Sequence, residues 1–452
     1  MSTPIKSIAI IGGGITGLVA AHRLVREGHR VTVFESSECL GGCIRTERDG
    51  DWLVESGPNS IQDNCPEFTR LLAELNLAER LQEANPAARN RYLVRDGKLL
   101  AAPLSPGAFL GTPLLSFGAK LRLFGDLFKR PLARPDDVSV AEFFRDHFGR
   151  EAVDHAVAAM VSGIYAGDAA KLSAQHAFPT LWKMERAHGS LLRGLKASAK
   201  AKRAAGGRRG PARIVSFDDG LGVLVAALAD TLPTGSVRLG ARIDAITTGP
   251  VCRVGDWTGD AVILALPAAA LAALQINRAG ERPLAALQAV EYPSVTSLYL
   301  GYRREQVAHS LDGFGVLLPP VERRDVMGVL FSSTLFPRRA PEGHVGLTVM
   351  LGGVLRPDLA GKSDDELLSL ARAELRDLLG VEGEPVFVRR RRWPAAIPQY
   401  NLGHERFLHA IKTCEQRQPG LHIGGNVRDG VALTACIAAG ERLAVASIKK
   451  TT

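Results

Sequence analysis

Residues 5–11, IKSIAII, end in four consecutive apolar residues and carry the signature of a buried parallel strand. Leu18, Ala21, Leu24 and Val25 then recur on one face of a helix, and RVTVFE closes a second strand at Glu35, completing a βαβ opening. Helical periodicity is predicted over 66–81, and NRYLVRDGKLLAAP reads as a hairpin about Asp96 and Gly97. From about 103 to 205 the pattern is helical, rich in Leu, Phe and Ala and punctuated by Pro. Strand-like alternation returns at ARIVSF, SVRLGARIDAI and AVILALP, and again across 292–350. A helix, DDELLSLARAELRDLLG, precedes the strand PVFVRRRRWP. The end, LHIGGNVRDGVALTACIAAGERLAVAS, predicts a strand, a glycine turn and a long helix. No internal repeat argues for a solenoid or propeller.

A chain of 452 residues has room for two or three domains, and 46% hydrophobic with 23% charged residues is ordinary for a globular protein. The six cysteines are scattered without a CxxC pair, which points to a reducing compartment rather than a zinc site or disulfide scaffold. The longest apolar stretch, from Ala261, is interrupted by Pro267 and is too short to span a bilayer. The start leaves no room for a signal or transit peptide before the first strand, so a cytoplasmic location is expected. Net charge is +9 and uneven: Arg193, Lys196, Lys200, Lys202, Arg203, Arg208, Arg209 and Arg213 follow one another with no acid between them. Such a run suits a solvated loop or an anionic membrane surface. Nucleic acid ranks last, because no aromatic residue is present to stack on bases.

The chemistry begins at Gly12-x-Gly14-x-x-Gly17, which follows a strand, opens a helix and precedes an acid, Glu35, at the end of the next strand. That context is the one a dinucleotide fingerprint needs: a tight turn, backbone amides open to a pyrophosphate, and a carboxylate for ribose hydroxyls. Gly41-Gly42 followed by Arg45 adds a second close backbone approach and a cation, and the glycine turn before Val431 opens a helix that can face the electron-rich edge of a flavin. The first feature resembles the extension of FAD enzymes of the amine oxidase and phytoene desaturase type, and the second strengthens the case for FAD over NAD. The polar turn ESGPNSIQDN, from Glu55, interrupts an otherwise apolar domain. His404, His409 and His422 lack metal-ligand spacing, and there is no G-x-S-x-G elbow, so no metal is expected and the chemistry falls to the cofactor.

Beyond these motifs, ESGPNSIQD, NRYLVRDGKL, SGIYAGDAAKLS, SFDDGLGVL, LDGFGVLLP, GVLFSSTLFPRRAP, VMLGG, WPAAIPQYNLGH and GNVRDGVALTACI together resemble, in order and nearly end to end, the oxygen-dependent protoporphyrinogen IX oxidases of late haem synthesis. The resemblance implies an α/β chain of three parts. These are an FAD-binding Rossmann-like domain built from discontinuous segments (1–85, 206–276 and 401–452), a mixed α+β substrate domain (86–98 and 277–400), and a helical membrane-binding domain (99–205). It assigns FAD contacts to Gly12, Gly13, Gly14, Ile15, Thr16, Gly17, Glu35, Ser36, Gly42, Cys43, Arg45, Gly57, Pro58, Asn59, Ser60, Ile243, Asn426, Val431, Ala432 and Leu433. Asn59 is placed toward the reacting face as the catalytic candidate. Arg91 would pair with a substrate propionate, Leu317 and Leu330 would sandwich a pyrrole ring with Gly315 and Met350 beside them, and Gly163, Tyr165, Ala166 and Gly167 would form a small-residue turn near the macrocycle.

The implied reaction is conversion of protoporphyrinogen IX to protoporphyrin IX in three flavin-mediated two-electron steps, with dioxygen reduced to hydrogen peroxide. Oxidation of coproporphyrinogen III to coproporphyrin III is the alternative, and a flavin- and porphyrin-binding protein without turnover is the alternative of another class. An amine oxidase would call for an aromatic cage that the sequence does not display. The implied partners are the porphyrinogen, dioxygen, a membrane surface touched peripherally on its cytoplasmic face and a second copy of the chain in a homodimer, with no nucleic acid.

Overall fold

A computed structural model describes residues 4–131, 136–204 and 212–449. Arg208 and Arg209 of the basic run lie outside these residues, as does the expected boundary at 205–206.

Five parallel strands make the first sheet, in the spatial order Val237–Arg238, Arg30–Phe34, Ser7–Ile11, Ala261–Leu264 and Leu421–Ile423. Stretches more than 150 residues apart thus lie edge to edge, with Ile8 flanked by Val31 and Ala261. Alternate side chains feed two cores. Ile8, Ile10, Val31, Val33 and Ile263 pack with Ala20, Leu24 and Leu443, while Ala9, Ile11, Val262 and Leu264 pack with Ile246, Phe407 and Ile411 on the other face. Burial on both faces is why these strands read as continuous apolar runs. The first helix, Ile15–Arg26, lies against the C-terminal helix, Leu433–Ile448; a Cβ added to Gly440 would stand 2.6 Å from the Thr16 carbonyl oxygen.

The second sheet has seven strands, in the order Phe387–Trp393, Val295–Arg303, His344–Gly352, Val326–Leu330, Gly313–Leu317, Asn90–Arg95 and Lys98–Ala101. All pairs are antiparallel except Gly313–Leu317 with Asn90–Arg95. The predicted hairpin is present, with Asp96 (φ 51°) and Gly97 (φ 72°) both left-handed, as its two-residue turn demands. The predicted alternation fails in Val295–Arg303, whose first eight residues are all buried. Leu298, Leu300 and Tyr302 face a core shared with the helix Asp364–Leu379, while Gly301 on the other face lies beneath Trp52, itself stacked on Phe387 at 4.8 Å.

Two further expectations change. The helix over 66–81 stops at Glu74; Asn76 is left-handed (φ 54°), and Leu81–Glu83 leaves the helical path to pair with Arg213–Phe217. SVRLGARIDAI forms only the two-residue strands Val237–Arg238 and Ala245–Ile246, because the intervening chain turns at Gly240 and donates from Ala241 to the Glu35 carbonyl at 2.8 Å. The described residues between 103 and 204 are largely helical, as predicted, around Phe143, Phe144, Val161, Tyr165 and Trp182.

An ion pair joins the hairpin Thr46–Asp49/Trp52–Glu55 to the second sheet. Arg339 lies 3.1 Å from Glu55, and the two side chains are 3% and 0% exposed. Glu55 also accepts from the Leu221 amide (2.6 Å) and the Thr46 hydroxyl (2.7 Å); Arg339 donates to Ser216 (2.7 Å), and its carbonyl accepts from the Tyr299 hydroxyl (2.5 Å). Burial pushes the Glu55 carboxyl up from its ordinary value, against the opposing pull of Arg339 and the hydrogen bonds. Removing the cation leaves a buried charge without its partner. Arg339→Leu is therefore expected to cost about 3–5 kcal/mol in denaturant unfolding. Because a carboxyl with a raised folded pKa loses stabilisation as pH rises through it, the deficit should grow as pH climbs above the ordinary value of 4.5.

Candidate active site

The turn at 12–17 joins the central strand Ser7–Ile11 to the helix Ile15–Arg26. Gly12 has φ +108°, and a Cβ there would lie 2.4 Å from the Ala265 carbonyl oxygen; one on Gly17 would lie 2.0 Å from the Gly12 oxygen. The second glycine loop rests on the first: the Gly41 amide donates to Gly13 O at 2.8 Å, and Gly42 leaves only 3.1 Å between an added Cβ and Gly14 Cα. No side chain caps the helix at Gly14 and no acid occupies its first turn, so its leading amides are open to an anion. Ile15 is buried, and the Thr16 hydroxyl donates to the Cys436 carbonyl at 3.1 Å, which leaves both residues only their backbone for a ligand.

Beyond the second strand, Glu35 and Ser36 line a cavity of about 350 Å³ with Gly12, Ile243, Leu266 and Pro267. Glu35 Oε2 accepts from the Gly13 amide (2.7 Å), and Oε1 accepts from the Ser37 amide and hydroxyl (both 2.8 Å) and from Ser36 (3.3 Å). Burial alone would raise this carboxyl, but those hydrogen bonds outweigh it and hold the group below its ordinary range, ionised at neutral pH. An ionised acceptor, an apolar wall and open glycine amides at the carboxyl ends of parallel strands fit the adenosine and diphosphate portion of a dinucleotide.

Arg45 is placed otherwise than the motif suggested. Its guanidinium donates to the carbonyls of Leu40 (2.8 Å) and Ile44 (3.3 Å), bracing the glycine loop. Cys43 is exposed, and its carbonyl oxygen lies 1.9 Å from a Cβ added to Gly57, so only glycine lets these two segments cross. The turn that follows is held by the Trp393 indole, which donates to Ser56 O (2.8 Å), and by Asn59 Nδ2, which donates to Gly57 O (3.1 Å). At the far end of the chain, the Asn426 carbonyl accepts from the Tyr400 hydroxyl. Arg428 is engaged with Glu415 at 2.8 Å. Val431 is half-buried, Ala432 begins the helix Leu433–Ile448 without a side-chain cap, and Leu433 is buried with Ile15 and Leu18 in one core. Two uncapped helix starts, at residues 14 and 432, are therefore available to one extended cofactor.

A second cavity, of about 360 Å³, brings together Gly57, Pro58, Asn59, Ser60, Gly163, Ala166, Leu317, Leu330 and Met350. Four other candidates stand outside its lining. Tyr165 turns into the helical core, where its hydroxyl donates to Ala177 O (2.8 Å) and burial pushes its pKa up to about 12. Gly167 makes room for Gln399, and Gly315 (φ +152°) for the Val329 carbonyl, 2.1 Å from an added Cβ. Arg91 is exposed, its guanidinium 5.3 Å from the ring of Phe314, which does line the cavity. Sequence reasoning passed over Phe314, Ser162, Ile164, Val316, Met327 and Ile397. Phe314, an aromatic residue between two glycines, was the visible cue. No ionisable side chain lines this cavity, so it offers shape, apolar surface and the neutral polar groups of Asn59, Ser60 and Ser162.

Residues 15–447 match the family described as flavin containing amine oxidoreductase. The chain belongs to this family. The oxidoreductase is FAD-dependent. It is 31% identical to protoporphyrinogen oxidase 2, chloroplastic/mitochondrial, of Arabidopsis thaliana, covering 96% of this chain and 92% of the relative. It is 32% identical to coproporphyrinogen III oxidase of Propionibacterium freudenreichii, covering 95% and 88%. The fold is shared with putrescine oxidase solved with putrescine bound (TM-score 0.70, 17% identity, covering 99% of this chain and 100% of that one), so architecture alone does not select the substrate.

In this oxidoreductase the turn at 57–60 has two separable demands. Gly57→Ala is expected to drive the turn off the Cys43 carbonyl and lower the flavin content of the purified protein several-fold. Asn59→Ala should retain its flavin and lose turnover by about 10-fold or more. Flavin-to-protein absorbance and steady-state rates read both.

Proposed function

We propose that this flavoenzyme oxidises protoporphyrinogen IX to protoporphyrin IX in haem biosynthesis, with dioxygen as acceptor and hydrogen peroxide as product. The supporting observation is the cavity without ionisable groups, flanked at Phe314 by one arginine. Protoporphyrinogen IX presents the matching chemistry: a neutral, apolar macrocycle whose two propionates sit on one edge. FAD, when bound, supplies a two-electron acceptor that dioxygen can reoxidise.

The chain's own residues do the rest. Leu317 and Leu330 enclose a pyrrole ring and exclude water, Met350 closes the wall, and Gly163 and Ala166 keep the backbone close to the macrocycle. Asn59 orients the ring through a neutral donor and acceptor, adding no charge to a site of low dielectric. Arg91 holds a propionate at the mouth. No ionisable side chain lines the cavity, so the reaction draws on no general base from its walls. Gly12, Gly13, Gly14, Gly17, Ser36, Gly42, Cys43 and the backbone at 431–433 hold the cofactor, with Glu35 taking its ribose. The segments 1–85, 206–276 and 401–452 act as the FAD domain, and 86–98 and 277–400 as the substrate domain.

The helical segment 99–205 serves as a peripheral membrane-binding domain on the cytoplasmic face. Among the described residues no helix is long and apolar enough to cross a membrane. Yet Phe117 and Phe128 are 80% and 85% exposed, with Leu104, Leu110 and Leu121 each 63% exposed in the same stretch. Leu127 and Phe128 are presented by a turn that is pinned from below: Asp126 accepts from the His147 ring (2.5 Å), the Ser190 hydroxyl (2.8 Å) and the Leu192 amide (3.0 Å). Neighbouring Arg122, Lys196 and Lys200 add the positive charge that an anionic lipid surface attracts.

Coproporphyrinogen III oxidation is the second reading, favoured by the relative that bears that name. Anaerobic mixing with each porphyrinogen should bleach the flavin and, on admitting air, yield fluorescent porphyrin; a flavin that stays oxidised with both would leave only a binding protein. Arg91→Ala should raise the Michaelis constant by about 10-fold with flavin content unchanged. The double variant Phe117→Ser, Phe128→Ser should lose most of its co-sedimentation with anionic vesicles while keeping its flavin.

A further inference from the structure

The loop that runs from the strand Leu421–Ile423 to the uncapped helix start at residue 432 has three successive carbonyl oxygens taken up. Gly425 O accepts from the amides of Arg428 (3.0 Å) and Asp429 (2.9 Å), Asn426 O from the Tyr400 hydroxyl, and Val427 O from His404 Nε2 at 3.0 Å. Tyr400 and His404 are 4% and 2% exposed and their rings pack at 4.5 Å, so the two donors form one unit. Both are kept in the donating form. Burial raises the Tyr400 phenol well above its ordinary range and drives the His404 ring down to about 4, which leaves it neutral at physiological pH. A neutral ring facing a carbonyl carries its proton on Nε2 and leaves Nδ1 bare; that atom is buried without a hydrogen-bond partner among the described residues. The ring thus serves a single polar contact.

This unit is moored to the helical segment rather than to the loop it grips. The Ser173 amide donates to Tyr400 O (2.8 Å), the Leu402 amide to Lys171 O (2.9 Å), and the Gly403 amide to Asp137 Oδ2 (2.7 Å). Val431, near the end of the loop, packs in the same core as Tyr400 and as Ile397, which lines the reaction cavity. The grip is therefore anchored independently of the loop and acts where the loop adjoins that cavity.

We propose that Tyr400 and His404 are positioning residues for flavin reduction: they hold the carbonyl oxygens of 426 and 427 toward themselves and so keep two negative dipole ends from the edge of the flavin that gains electrons. The proposal rests on the assignment of 426–433 to the cofactor and deepens it. In a planar peptide the C=O and N–H point in opposite directions, so a released peptide can turn and exchange donor for acceptor. An oxygen facing developing negative charge destabilises the reduced flavin more than the oxidised one. Neither side chain needs to touch the cofactor.

The test is a redox equilibrium, read anaerobically by absorbance against a reference dye, with flavin content and thermal unfolding followed alongside. Tyr400→Phe and His404→Leu should each keep their flavin and lower the equilibrium constant for its reduction about five- to ten-fold. His404→Gln, whose side-chain amide can donate from the place of Nε2, should return to within about two-fold of the wild type. An unchanged equilibrium in Tyr400→Phe and His404→Leu, a Gln variant as impaired as the Leu variant, or loss of flavin from Tyr400→Phe would each overturn the proposal. Asn426→Ala alters the loop but leaves its carbonyl in place, and so separates the grip from the assignment beneath it. If Asn426→Ala alone changes flavin content or the equilibrium, the grip falls and the assignment stands; if none of the variants changes either, both fall.

Discussion

Backbone crossing bare backbone is the constraint on which the rest of this structure depends. At Gly12 against Ala265, Gly17 against Gly12 and Gly57 against Cys43, an added Cβ would approach a carbonyl oxygen to between 1.9 and 2.4 Å. No rearrangement of a flexible side chain relieves such a contact, because the opposing atom belongs to the main chain. These crossings bring the two glycine loops together, set the angle at which the first helix leaves the sheet, and deliver the turn at 57–60 to the mouth of the second cavity. The buried Glu55–Arg339 pair then fixes that turn from behind, immediately upstream of Ser56, whose carbonyl is held by Trp393.

The result is a molecule with its polarity sorted along one axis. At the nucleotide end, an ionised Glu35 offers an acceptor suited to hydroxyls and an uncapped helix start offers amides suited to phosphates. In the reaction cavity every ionisable group is missing from the lining. Arginines reappear only outside it, at Phe314 and beyond Met327. A neutral macrocycle with charged arms meets the complementary arrangement without any charge being buried at the reacting carbon, where desolvation would cost most.

Local signals carried over to the structure where the physics was local. The βαβ opening, the glycine fingerprint with Glu35 and the Asp96-Gly97 turn depend on a few adjacent residues, and each stands where its pattern put it. Side-chain destinations were not legible, whether set by distant partners or by the fold of the side chain's own loop. Thr16 and Arg45 sit within the fingerprint region, yet the hydroxyl of one is taken by Cys436 and the guanidinium of the other by its own loop. Tyr165, Gly167 and Gly315 belong to recognisable motifs but serve packing against Ala177, Gln399 and Val329. Leu77 and Leu81 continued a helical stripe that ended at Glu74, because Leu81 found a strand partner 136 residues further on, at Phe217. Arg339 within FPRRAP gave no hint of Glu55, since nothing local records a pairing across 284 residues.

The five-stranded sheet also governs how the protein can be made. Its strands are completed by residues 237–238, 261–264 and 421–423, and the helix packed on the fingerprint is the last element of the chain. A ribosome-bound intermediate, however long it pauses, lacks Leu421–Ile423 and the second helix start until those residues have been made. The early apolar strands must then wait unpaired on one edge, exposed to mispairing, while most of the chain emerges. Cofactor capture is thus coupled to synthesis of the strand Leu421–Ile423 and the helix Leu433–Ile448: a chain terminated before them lacks an edge of the sheet and the second helix start.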